Sequence, residues 1–180
     1  MLAVIVESIT TILALCGLGF YFAALWSARD FVRRKRSPVA EFHPPVSILK
    51  PLKGFDHDMY ASFASHCRQQ YAGEYEILFG VGSMDDPAVA AVEQLKAEFP
   101  QVAIRLVLCP EVLGTNGKVS NLAQMVPQAR FAHILINDSD IKVSPRYLER
   151  AMAPFADTKV GLVTALYRGR SHGTDRKSVV

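Results

Sequence analysis

Hydrophobic positions divide the chain into two regimes. Residues 2–26 read LAVIVESITTILALCGLGFYFAALW, apolar along almost their whole length, with Glu7 as the only charge. After residue 45 the apolar residues fall into short runs that alternate with stretches of helical spacing. VSILK (46–50) predicts a short buried strand, stopped by Pro51. MYASFASHCRQQ (59–70) has apolar residues at helical spacing, EYEILFGVGS (74–83) is a second strand, and 87–99 is a helix with Pro87 in its first turn. VAIRLVLC (102–109) predicts a third strand. GTNGKVSNLAQMV is a glycine-rich loop entering a helix, HILIND (133–138) a fourth strand, PRYLERAMAPF (145–155) a helix and VGLVTALYR (160–168) a further strand. Regular alternation of strand and helix predicts an α/β domain with a mainly parallel sheet and right-handed crossovers. Ligands in such sheets bind outside the carboxyl ends of the strands, where both acidic clusters, Asp85-Asp86 and Asp138/Asp140, are expected to lie.

The first regime is long enough, at about 1.5 Å per residue, to cross a hydrocarbon core roughly 30 Å thick. Glu7 lies near one end, and Tyr21 and Trp26 suit the opposite interface. Arg29, Arg33, Arg34, Lys35 and Arg36 follow at once. A positive cluster on that side predicts the N-terminus outside and the rest of the chain in the cytoplasm. A cleaved signal peptide would carry its positive charges before the apolar run and a small-residue cleavage site after it, and neither is present. The expected organisation is a transmembrane helix over 2–26, a basic, proline-bearing linker over 27–45, and an incomplete α/β domain over 46–174. Residues 175–180, DRKSVV, read as a translated adapter sequence and are expected to be a non-native tail.

Composition adds limits. The chain has 180 residues, 50% of them hydrophobic, which leaves room for one membrane segment and one modest domain. A net charge of +3, concentrated beside the membrane segment, gives no support for nucleic acid as a partner. Cys16, Cys67 and Cys109 are scattered without metal-ligand spacing, which fits a reducing compartment better than a disulfide framework.

The candidate chemistry sits at the strand ends. Asp138-Ser139-Asp140 follows a buried strand; two carboxylates so placed can form a polar turn, or can hold Mg²⁺ or Mn²⁺ and, through the ion, a diphosphate. Asp86 before Pro87 reads as a helix cap or as a carboxylate that hydrogen-bonds a nucleotide, with Asp85 beside it. GTNGKVSNL resembles a phosphate loop, yet Val112 and Val119 stand where a P-loop needs Gly and Ser or Thr, which argues against a P-loop NTPase. Lys118 at the helix entry reads either as a surface lysine or as a phosphate partner. Lys50 and Lys53 flank Pro51 and face the same edge, as solvated loop lysines or, for Lys53, as a substrate-binding cation. The five histidines show no paired metal-ligand spacing, and no nucleophile signature is present.

In this order behind an N-terminal membrane helix, PPVSILKPLKG, MDDPAV, GTNGKVSNL and NDSDIKV resemble the ceramide glucosyltransferase family, closest to the bacterial branch associated with hopanoid biosynthesis. The resemblance covers nearly the whole chain up to about residue 173. It implies a GT-A fold, a nucleotide-sugar donor, an inverting mechanism and a lipid acceptor. By position, Asp86 or its neighbour Asp85 matches the family aspartate that contacts the nucleotide. Asp138 matches the second aspartate, and Asp140 completes a DxD that binds metal and diphosphate. Lys118 falls in the loop expected near the diphosphate. Ceramide enzymes often have glycine at the position of Asp140, so the doublet leans toward the bacterial branch.

The resemblance therefore implies a membrane-anchored glycosyltransferase of the bacterial inner membrane, moving a sugar from UDP-N-acetylglucosamine or UDP-glucose to a hopanoid polyol or ceramide-like alcohol. The family's third aspartate, its general base, and its Q/R-x-x-R-W motif are expected beyond the end of this sequence, so the chain alone is expected not to turn over. Two alternatives remain open: the N-terminal part of a processive polysaccharide synthase, and a non-catalytic nucleotide-binding membrane protein.

Overall fold

A computed structural model describes residues 2–33, 41–56, 58–165 and 169. Arg34, Lys35, Arg36, His57, His172, residues 34–40 of the expected linker and the expected tail lie outside the described residues. The chain divides into two units, Met1–Pro38 and Val39–Val180.

The first unit is one helix, α1 (Leu2–Arg33), 32 residues long. Its stretch Ala3–Phe31 is long and apolar enough to cross a membrane. The hydroxyls of Thr10 and Thr11 donate to the Glu7 carbonyl at 3.0 and 2.8 Å. Polar side chains in an apolar helix are thereby satisfied within the helix itself. The helix runs past Trp26 through Arg29 to Arg33, so the linker expected from residue 27 is helical at its start. Arginine is a good helix former, and nothing between Ser27 and Arg33 breaks the hydrogen-bond ladder.

The second unit is a parallel sheet with helices on its faces. Its strands are β1 (Val46–Pro51), β2 (Tyr75–Val81), β3 (Ala103–Leu108) and β4 (His133–Ile136), in the order β3-β2-β1-β4. All pairings are parallel, with Ile48 opposite Ile77 on one side and Leu135 on the other. The helices between are α2 (Met59–Cys67), α3 (Ala88–Glu98), α4 (Gly117–Met125) and α5 (Tyr147–Met152). The parallel α/β class expected from the alternating pattern is the one observed.

Strand alternation sends successive residues to opposite faces. On one face Ile48, Ile77, Phe79 and Leu135 join Phe63 of α2, Val92 and Leu95 of α3 and Leu148 of α5 in the larger core. On the other, Leu49 and Leu78 pack with Met125 at the end of α4 and with Cys109. α3 buries Ala88, Ala91, Val92 and Leu95, an i, i+3, i+4, i+7 stripe, and stops before Pro100. Gly80 on β2 lets α4 approach, because a Cβ there would collide with the Met125 thioether.

Glu76, wholly buried in β2, is satisfied on both oxygens. Oε1 accepts from the Ser47 hydroxyl at 2.7 Å and the Arg130 amide at 2.7 Å, and Oε2 accepts from Arg105 Nε and Nη2 at 3.1 and 2.9 Å. Such full pairing is what a buried carboxylate requires. It clamps β1, β2, β3 and the approach to β4 together.

Three boundaries differ from expectation. α2 ends at Cys67 rather than residue 70, since the Gln69 side chain turns back to the Ser65 carbonyl at 2.9 Å. The helix expected over 145–155 is α5 followed by a 3₁₀ turn, Ala153–Ala156, with Pro154 inside it. The strand expected over 160–168 is not formed at residues 160–165, which pair with no neighbouring strand; residues 166–168 lie outside the described set. An apolar run becomes a strand only where a sheet edge receives it.

Candidate functional site

The chain lays down β1, β2 and β3 outward in one direction, then returns to place β4 on the other side of β1. The gap between the carboxyl ends of β1 and β4 is therefore the topological switch point, the usual ligand crevice of such sheets. Lys50 and Pro51 end β1 there, and Asn137-Asp138 follow β4.

Lys118, in the first turn of α4, reaches across to form an ion pair with the Asp138 carboxylate. Both side chains are about half exposed. α4 starts where it does because the Asn116 side chain accepts the Val119 amide at 3.2 Å, a helix cap that fixes the direction in which Lys118 leaves the backbone. Behind the pair lies Lys50, 0% exposed, whose Nζ donates to the Asp138 carbonyl at 2.8 Å and stands 5.8 Å from the centre of the Phe63 ring. Burial drives the Lys50 ammonium down to about 7, against the pull of the Asp140 and then the Asp138 charges, which favour its protonated form. Asp138, Asp140, Lys118 and Lys50 thus share one electrostatic neighbourhood.

Asn137 is 7% exposed and held from three sides. Its amide N–H donates to Leu49 O at 3.1 Å, its Nδ2 donates to His66 Nε2 at 2.8 Å, and its Oδ1 accepts from the Tyr147 hydroxyl at 3.1 Å. His66 Nδ1 faces the Ser62 carbonyl at 2.9 Å, so the neutral ring with its proton on Nδ1 satisfies both neighbours. Burial, and after it the Lys50 charge, push the His66 imidazole down to about 3.

Asp86 lies at the other side of β1. Its Oδ1 accepts the Ala88 amide at the start of α3 and its Oδ2 accepts the Gly54 amide, each at 2.9 Å. Gly54 has φ +70°, a left-handed turn open to glycine, and brings the loop carrying exposed Lys53 against Asp86. Asp85 is exposed, and its amide donates to Ser83 Oγ at 3.1 Å. The helix-start reading of Asp86 is therefore physically realised, and the Gly54 contact adds a tie that no local pattern shows. A concavity of about 250 Å³ lies beside α4, lined by Leu113, Asn116, Val119 and Ser120, and none of the acidic candidates lines it.

The structure thus gathers Asp138, Asp140 and Lys118 at one end of the crevice, and sets Asp86 and the Lys53 loop at the other, with the end of β1 between them. Lys50, Asn137, His66 and Tyr147 were not expected to serve the site. The one sequence signal was a lysine closing the apolar run VSILK; expected as a solvated loop lysine, Lys50 is instead wholly buried, because it is the fifth residue of a strand packed on both sides. Among the described residues no group of three or more His, Cys, Asp or Glu gathers as a metal cage. The carboxylates of Asp138 and Asp140 are hard oxygen donors at partly exposed positions, a set suited to Mg²⁺ or Mn²⁺ shared with phosphate oxygens and water.

Known proteins share this fold. A mannosyltransferase from Pyrobaculum calidifontis, solved in complex with GDP-Man and Mn²⁺, superposes with a TM-score of 0.74 at 21% identity, over 90% of this chain and 47% of its own. The shared fold is GT-A-like, as the resemblance implied. Ceramide glucosyltransferase 3 of Caenorhabditis elegans is 31% identical over 92% of this chain, and the ceramide glucosyltransferase of Komagataella phaffii is 31% identical over 73%. This chain spans 41% and 26% of the length of those two relatives. The model of glycosyl transferase family 21 matches residues 9–177, and over that whole extent, from the apolar helix through the switch-point carboxylates, the chain belongs to this family.

Proposed function

We propose that this chain forms the donor-binding part of a membrane-anchored, inverting glycosyltransferase that moves a sugar from a UDP-sugar, carrying N-acetylglucosamine or glucose, to a lipid hydroxyl. The acceptor is a hopanoid polyol or a ceramide-like alcohol. The observation that carries this reading is the Lys118–Asp138 pair at the switch point, in a chain of glycosyltransferase family 21. The ceramide glucosyltransferases it resembles support the lipid acceptor. The apolar α1, with Arg29 and Arg33 at its end, supports a membrane anchor with the N-terminus outside and the α/β unit cytoplasmic, and the membrane proposed is the bacterial inner membrane.

Asp138 and Asp140 would hold Mg²⁺ or Mn²⁺, the latter being the ion in the mannosyltransferase complex. When bound, the ion would neutralise charge building on the departing nucleoside diphosphate. Lys118 would turn from Asp138 toward the diphosphate, adding a mobile positive charge at the first turn of a helix. Asp86, with Asp85 and Lys53 nearby, lies on the side where the uridine or ribose would be received. An inverting transfer also needs a base for the acceptor proton, and none is assigned among these residues.

Calorimetry of the detergent-solubilised chain with UDP, with and without Mn²⁺, tests the reading. Mn²⁺-dependent binding that is lost in Asp138→Ala/Asp140→Ala supports it. Binding that is absent, or independent of metal and unchanged in the double variant, overturns it.

A further inference from the structure

The buried polar groups around Asn137 make none of the donor contacts assigned above, yet they hold the residue immediately before the paired carboxylates. We infer that Lys50 and Asn137 are positioning residues that fix the Asp138–Asp140 turn for a shared metal and diphosphate. The inference rests on the donor-site reading and specifies which side chains make that site rigid.

Two consecutive residues carry four separate anchors. Asn137 is tied to Leu49 O at 3.1 Å, to His66 Nε2 at 2.8 Å and to the Tyr147 hydroxyl at 3.1 Å, and the Asp138 carbonyl is tied to Lys50 Nζ at 2.8 Å. The anchors come from three elements, β1, α2 and α5, so the turn cannot shift against the sheet without breaking bonds to each. A solvated turn after a strand needs no such fixing, because water satisfies it equally well. A wholly buried lysine is also a costly choice at the end of an apolar strand, where an unbranched apolar residue would fill the same space beside Phe63. Carboxylates that receive a small divalent ion must be set at defined spacing, and groups that orient such ligands govern affinity without touching the ion.

A simpler role for Lys50 would be that of a counter-charge to the two carboxylates. The two roles predict opposite signs. If Lys50 only supplies charge, its removal lifts repulsion against an incoming cation, and Mn²⁺ binds more tightly. If it positions the turn, its removal weakens binding.

The test uses the full chain in detergent, with Mn²⁺-dependent UDP binding followed by calorimetry and the bound ion by Mn²⁺ electron paramagnetic resonance. Lys50→Met and Tyr147→Phe are each expected to weaken Mn²⁺-supported UDP binding about tenfold and to broaden the Mn²⁺ signal. The melting temperature should stay near that of the parent, a combination that loss of general stability does not produce. Unchanged or tighter binding in Lys50→Met overturns the inference. Where Lys50→Met fails to fold, parental binding and an unbroadened signal in Tyr147→Phe overturn it equally. A parent chain without Mn²⁺-dependent UDP binding removes the donor-site reading itself, whereas a binding parent with insensitive variants removes only the positioning role.

Discussion

The Asp86 carboxylate accepts the Gly54 amide at 2.9 Å, so the first turn of α3 and the loop after β1 share one side chain. Its other oxygen takes the Ala88 amide at the same distance. Asp86→Ala deletes both bonds and leaves two amides to find new partners, a loss of about 1–3 kcal/mol. Asp86→Asn keeps one acceptor oxygen and is expected to lose roughly half as much. Urea denaturation of the two variants checks the order; equal stability of Asp86→Ala and parent would show that neither bond matters.

The Lys118–Asp138 pair is expected to behave differently. Both partners are about half exposed, so water and salt screen their attraction, and Lys118→Ala should change stability by less than about 1 kcal/mol. If Lys118 turns to the diphosphate, the same substitution should weaken UDP binding about tenfold, the scale of one charge-assisted contact. Calorimetry paired with thermal melting separates the outcomes. A variant that loses stability but not nucleotide affinity would make Lys118 a structural partner of Asp138.

How far the sequence reveals this follows from the range of each interaction. Strands β1 to β4 and helix α3 were visible because period-2 and period-3.6 patterns act locally. The placement of Asp138/Asp140 beside a parallel strand end followed from the same alternation. The burial of Lys50 was not visible, since it depends on Phe63 of α2 and on the Asp138 carbonyl, 88 residues away. The Asp86 bond to Ala88 is local and readable as a helix start, while the bond to Gly54 spans 32 residues and is not. Residues 160–165 carry a strand-like composition, but a strand is completed by the edge it joins, and no ladder forms there.

Gly80 is expected to take a side chain only at a cost in stability. A methyl group added there meets Met125, the residue through which α4 packs on β2. Overpacking of this kind costs about 1–3 kcal/mol, although the flexible thioether can yield part of it. Gly80→Ala alone should therefore destabilise the chain, and Gly80→Ala combined with Met125→Ala should cost less than the sum of the single changes. Strict additivity in a denaturation cycle would show that the two residues do not meet.

The buried His66 sets an acid limit on stability. Its imidazole is pushed down to about 3 in the folded chain from an ordinary value of 6.5, first by burial and then by the Lys50 charge. Between those values the unfolded chain holds a proton that the folded ring does not take up, so falling pH favours unfolding. The stabilisation is fully present above pH 6.5, and about 3 kcal/mol of it should be gone by pH 4. Lys50 adds no slope well below pH 7, because there it is protonated in both states. Urea midpoints measured from pH 7 to pH 4 on the parent and on His66→Gln test this. The parent should weaken the more steeply, the difference between the curves growing as pH falls. Parallel curves would mean that the folded chain accepts a proton at His66, and with it a different hydrogen-bond arrangement around Asn137.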